Sequence, residues 1–224
     1  MSNAAKVWTE PWDVNRRLSE IGKGLDQDVL RYAAERAQAA WAACTPHHPR
    51  CFLGIARWAE GNRGLRDKLI LHSWQIDDNR GQPLVVSPDG QSAITVLSGD
   101  ENTGRVGFGY AQPRTTTSKG AATVEAVQTN AFLFPDMEQD ARAKWQRLQE
   151  RSKSTWVQLL HGDVQLGQLR MELSLPTLMD EDRRIVGWEE RIILPPIEFE
   201  PIPELSANEG PDDGDISIEI KRRA

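Results

Sequence analysis

The segment 155–194 constrains the fold more than any other part of the chain, because its side chains alternate at period two for most of its length. Trp156, Gln158 and Leu160 share one side of 155–161, and Gly162-Asp163 reads as a turn. The alternation resumes through Val164 and Leu166, then through Leu169, Met171, Leu173 and Leu175, and the change of phase at Gly167 predicts a bulge. A charged turn at 179–183 leads into a returning strand over 184–194, with Trp188 near its middle and Pro195-Pro196 as its end. A long antiparallel hairpin inside a larger sheet follows, since a two-stranded ribbon alone is marginal in water.

Upstream, 83–87 and 92–98 flank Pro88-Asp89-Gly90, a hairpin signal, and 105–111 reads as a strand weakened by its glycines. The segment 68–76 (KLILHSWQI) sets Ile70, His72, Trp74 and Ile76 on one side as a strand. The alternative there is the end of a helix begun at Leu65, and His72 beside Trp74 reads as a buried core histidine.

The first third is helical. Residues 1–11 form a loose leader, and Asp13 caps a helix that ends near Ile21 before Gly22 and Gly24. A second helix runs from Asp26 to about Ala43, with Val29, Ala33, Ala37 and Trp41 as its apolar stripe. A third covers 51–60 with Phe52, Ile55 and Ala59 buried, and Gly61-Asn-Arg-Gly64 ends it. Two further helices are inserted among the strands. One runs over 119–130 behind a Ser118 cap, and one over 136–151, acidic first and basic last as the helix dipole prefers.

The expected fold class is therefore α+β. A small N-terminal helical unit (12–64) follows the leader and precedes a β-rich domain (65–197), mainly antiparallel with two inserted helices. An acidic, Pro-rich extension (198–224) closes the chain, with Ile216-Ser-Ile-Glu-Ile220 as one last strand. That extension holds eight acids and three bases, so most of the net charge of −6 sits there and the body is close to neutral. No apolar run nears the roughly 18 residues of a membrane span, and residues 1–9 lack a signal-peptide core. Two cysteines in such a chain read as reduced thiols in the cytoplasm.

Four groups of residues carry candidate chemistry. Arg105, Arg114, Thr115, Thr116, Thr117, Ser118 and Lys119 gather cations and hydroxyls before a helix start, where a phosphate, nucleotide or nucleic-acid backbone would be bound. The glycines at 104, 107 and 109 fit no complete dinucleotide fingerprint. Cys44, His47, His48 and Cys51 have zinc-ligand chemistry, although four ligands within eight residues close a tetrahedron poorly, and no resident cofactor is expected. Asp212, Glu219 and Lys221 echo the carboxylate–lysine layout of metal-dependent nucleases, and His161 with Asp163 offers a base and an orienting acid. Finally, Trp8 and Trp12 stand on a leader too polar to bury them, as tryptophans facing a partner do, and Lys144, Arg147 and Arg151 form a basic stripe.

With no complete catalytic signature, the first expected function is a non-catalytic binding or assembly subunit of a cytosolic complex, with a protein partner. The alternatives are a nucleic-acid- or nucleotide-binding protein using 105–120, and a metal-dependent hydrolase.

Overall fold

The three long alternating segments become adjacent strands in a computed structural model of the chain, which describes residues 5–78, 81–133 and 153–200. They are β5 (Ser154–Asp163), β6 (Gln168–Met179) and β7 (Ile185–Glu198), paired antiparallel in sequence order. Gly167, at φ 62°, sits in the β5–β6 turn instead of forming a bulge. The register irregularities of the β6–β7 pair lie elsewhere, between Leu169 and Met171 and again from Leu175 to Met179. The first of these spares Pro195 and Pro196 a ladder bond, so β7 continues through both prolines where a stop was expected.

Four shorter strands complete a seven-stranded sheet. These are β1 (Lys6–Trp8), β2 (Gln75–Asp77), β3 (Leu84–Val86) and β4 (Ser92–Ser98), and the order is β1-β7-β6-β5-β4-β3-β2. The expected Pro88-Asp89-Gly90 hairpin joins β3 to β4, with Gly90 at φ 73°. The architecture is α+β, but the sheet is mixed where a mainly antiparallel one was expected. The β4–β5 and β1–β7 pairs are parallel. A parallel pair needs a long crossover, and helix α4 (Ala121–Leu133) supplies part of it between β4 and β5. The β1 strand lies within the stretch read as a loose leader. The segment 105–111 is a loop, not a strand. The helix expected over 136–151, the strand over 216–220 and Asp212, Glu219 and Lys221 lie outside the described residues. No helix among the described residues is long and apolar enough to cross a membrane.

Helix α1 (Pro11–Ile21) starts three residues earlier than expected, with Glu10 in place of Asp13 at the N-cap and Pro11 in the first turn, where its missing N–H costs nothing. Helix α2 (Gln27–Ala42) starts where expected, and the Asp26 carboxylate caps it by accepting from the Val29 N–H at 2.9 Å. Helix α3 (Arg50–Leu69) runs straight through Gly61-Asn-Arg-Gly64, which was expected to end it. These glycines are a packing device. A Cβ on Gly64 would sit 2.7 Å from the Ala33 Cα, and one on Gly61 would sit 3.0 Å from Val96. Small residues on both helices let the backbones of α2 and α3 approach, which outweighs the helix cost of glycine. A 3₁₀ turn (Ile70–His72) follows α3, so the strand expected over 68–76 shrinks to β2. His72 is exposed and lies over Gly24, while Trp74 is buried and donates its indole N–H to the Lys23 carbonyl.

The sheet is covered on both faces. The even-numbered residues of β5 face α1, α2 and α3: Trp156 and Leu160 join a core with Leu18, Leu30 and Leu65, and Gln158 donates to the Leu30 carbonyl. The odd-numbered ones face α4, where Val157 and Leu159 pack with Val127, Ile185 and Trp188. Asn130 fastens α4 by donating to the carbonyls of Thr155 and Pro176.

The α2–α3 contact predicts the outcome of Gly64→Ala. Helix propensity alone favours alanine by about 1 kcal/mol. Overpacking against a neighbouring backbone costs about 1–3 kcal/mol, so the variant should show a lower urea midpoint with unchanged m-value. A higher midpoint would contradict the close approach.

Candidate functional site

Helix α4 covers only the first half of β5 on its face of the sheet. The second half, with its neighbours on β6 and β7, presents His161, Arg170, Glu172 and Arg191. Charges at such positions would be solvated on an open sheet. Here they are buried: the side chains of Glu172, Arg191 and Arg170 are 0%, 4% and 7% exposed. What buries them is the connection from β4 to α4, which crosses this part of the sheet as a closed loop.

The loop spans 100–114 and its ends meet. The Asp100 N–H donates to the Arg114 carbonyl, and Gly99 bridges Thr115. Compact loops with joined ends are recurrent carriers of function. Its base is held almost entirely through backbone groups. Arg170 donates from Nε to the Thr103 carbonyl and from a terminal nitrogen to the Glu101 carbonyl, and it pairs with Asp163 at 2.9 Å. Glu172 accepts from the Gly104 N–H at 2.9 Å, from the Ser174 hydroxyl, and from Arg191 at 2.5 and 3.0 Å. Arg191 then donates to the Arg105 carbonyl, and the Trp188 indole donates to the Pro113 carbonyl. Each buried charge therefore has a partner and spends its remaining hydrogen bonds on the loop. Gly104, at φ 70°, lies close against Arg170 and Met171, which a side chain there would disturb.

Beyond this base the tip turns outward. Phe108 is fully exposed, and Val106 and Tyr110 are 40% and 50% exposed. Gly107 and Gly109 flank Phe108 with φ of 118° and 93°, backbone conformations that glycine adopts without strain. The Arg105 guanidinium lies 5.2 Å from the centre of the Tyr110 ring and 3.7 Å from Asp163.

The anion-binding group read from the sequence is divided by this arrangement. Arg105 stands at the loop, and Arg114 is part-exposed with Asp180 3.8 Å away. Thr115 is buried, its hydroxyl accepting from the Ile185 N–H and donating to the Thr117 carbonyl. Lys119 is also buried and donates to the Thr117 hydroxyl at 2.5 Å. Thr116 is exposed and Ser118 partly buried. Trp8 is half-buried against β7, donating to Glu190 at 3.2 Å beneath the Lys6 ammonium, while Trp12 is 80% exposed.

In the thiol segment Cys44 is buried and donates to the Ala40 carbonyl, and burial pushes its thiol pKa up. His48 turns Nδ1 toward Thr45 and stacks on Phe52, and Cys51 is partly buried on α3. Among the described residues, no three His, Cys, Asp or Glu side chains gather as a metal centre would need.

His161 and Asp163 stand two residues apart on β5 at the edge of the ion network, but their bonds go to other groups, His161 to the Gly99 carbonyl and Asp163 to Arg170. Burial pushes the His161 pKa down, assisted by Arg170 and opposed by the bond of Nδ1 to the Gly99 carbonyl. Since a carbonyl only accepts, Nδ1 carries the proton of the neutral ring. At Asp163 burial works against the charged form, but the hydrogen bonds from Arg170 and the Leu166 N–H prevail and hold its pKa below the usual range. Both groups serve the loop base. Sequence reasoning missed Arg170, Glu172 and Arg191, because alternate polar residues on a strand ordinarily mean a solvated face. Their signal was opposite charges on two consecutive strands that also alternate with a strong core face.

The chain matches no protein-family profile, no curated protein and no solved structure.

The neutral His161 predicts a pH effect with a definite sign. Its folded pKa lies below the unfolded value of about 6.5, so in that window the unfolded chain binds the extra proton. The stability it contributes is complete above the unfolded value and is lost as pH falls toward the folded one. Urea midpoints measured from pH 7 down to pH 5 should decline more steeply for the native chain than for His161→Gln; equal slopes would contradict a buried neutral imidazole.

Proposed function

We propose that the protein is a non-catalytic binding or assembly subunit of a cytosolic complex, and that the 100–114 loop is the element it presents to a protein partner. The observation that carries this reading is the contrast within one loop. Its base is fixed by buried, fully partnered charges, and its tip holds Phe108 in solvent between two glycines. Aromatic side chains supply large contact area and are frequent energetic anchors of interfaces. A loop already ordered before contact pays less entropy on binding. Solvent exposure of one large apolar side chain is common, but three in five residues on an anchored loop form a coherent apolar tip. The exposed Trp12 offers a second anchor.

The nucleic-acid alternative draws on the same loop, since an Arg beside Tyr110, with Phe108 and Arg114, would suit a stacked base and a phosphate. The protein partner is the better fit. Lys119 and Thr115, which would complete a phosphate cradle, are engaged inside the fold, and Asp163 and Asp180 stand beside the two arginines.

Affinity capture from native host lysate, quantified by mass spectrometry, tests both readings. The native chain should retain a specific protein that Phe108→Ser/Tyr110→Ser loses at least about tenfold, since a truncated interface anchor costs about 2 kcal/mol or more. Unfolding transitions should be unchanged in that variant, because the tip lies outside the core. Equal retention would defeat the protein-partner reading. Binding to single-stranded polynucleotide that weakens with salt and with Arg105→Ala/Arg114→Ala would favour the alternative.

A further inference from the structure

The first half of α3 carries an apolar face that the described fold leaves open. Phe52, Ile55 and Trp58 are 39%, 43% and 37% exposed, although their spacing is that of a buried stripe. The same helix buries Leu65 and Leu69 completely further on, so the stripe is continuous in sequence but covered only in its second half.

We propose that the acidic segment 201–224 of this same chain covers that face. Three observations point to it. The first is where the segment starts. Phe199, just before it, packs on the cluster of Trp41 and Val164 that the α3 residue Leu53 also packs against, its ring 6.1 Å from that of Trp41. The chain thus enters 201–224 already beside the first turns of α3. A stretch of 24 residues at about 3.3 Å each reaches any side of a helix about 10 Å across. The second is charge. Residues 44–59 hold Arg50, Arg57 and two histidines and no acid, whereas 201–220 holds six acids and no base. The third is apolar content. Ile202, Leu205 and the alternating Ile216, Ile218 and Ile220 supply apolar side chains to match Phe52, Ile55 and Trp58.

The test uses the full chain with a photo-crosslinking amino acid at one exposed position, Ile55→p-benzoylphenylalanine. Irradiation followed by peptide mass spectrometry should place the dominant crosslink within 201–224 of the same molecule. In Ile216→Ser/Ile218→Ser/Ile220→Ser, which leaves the described core untouched, that crosslink should fall about tenfold or more, given the transfer energy of buried isoleucine. A crosslinked product of doubled mass would show a second copy on the face and overturn the proposal. So would crosslinks confined to other segments, or a yield unaffected by the three serines.

Discussion

The carboxylate of Glu172 joins the sheet to the loop that crosses it. It sits in the middle of β6 with no solvent exposure and accepts from Arg191 on the next strand, from Ser174 on its own strand and from the Gly104 N–H of the loop. Removing one member of such a buried pair typically costs about 3–5 kcal/mol, whereas replacing both by apolar groups is often neutral. The pair is therefore better understood as a device that specifies the loop's position than as a source of stability. Arg170 works alongside it, its guanidinium shared between Asp163 and two loop carbonyls.

This device is needed because both faces of the sheet are covered by different means. On one side, helices bury aliphatic side chains in the ordinary way, and the small residues of α2 and α3 bring those helices close. On the other, α4 reaches only part of β5, and an irregular segment covers the rest. A loop packed on a sheet must find partners for its backbone N–H and C=O groups. Long charged side chains rising from β6 and β7 provide them, which accounts for arginine and glutamate standing where core residues would otherwise be. The result is a loop with a rigid base and an apolar tip, the combination that the proposed binding role requires.

Much of this was legible in the sequence. The alternation over 155–194 marked β5, β6 and β7, the stripe of Val29, Ala33, Ala37 and Trp41 marked α2, and Pro88-Asp89-Gly90 marked its hairpin. The misreadings share a cause: local signals were overridden by contacts distant in sequence. Gly61 and Gly64 look like a helix stop until α2 is laid against them. Pro195 and Pro196 look like a strand end until the irregular register of β6 frees them from bonding. The alternating charges of β6 look solvated until the crossing loop is in place. The mixed sheet follows from a helix lying between two strands, a parallel crossover that the strand signals alone did not reveal. For the candidate site, Arg105, Arg114 and the segment around them were marked by their chemistry. The anchoring residues were not, because nothing local distinguishes a buried strand arginine from an exposed one.

Backbone amide exchange resolved at Gly104 and at Phe108 tests the central claim most directly. The anchored-base account predicts that Gly104, bonded to Glu172, exchanges orders of magnitude more slowly than Phe108 three residues from its nearest anchor, and that Glu172→Gln narrows the gap. Equal, fast exchange at both positions in the native chain would contradict it, since the loop would then be loose throughout and its tip would not be presented in a fixed place.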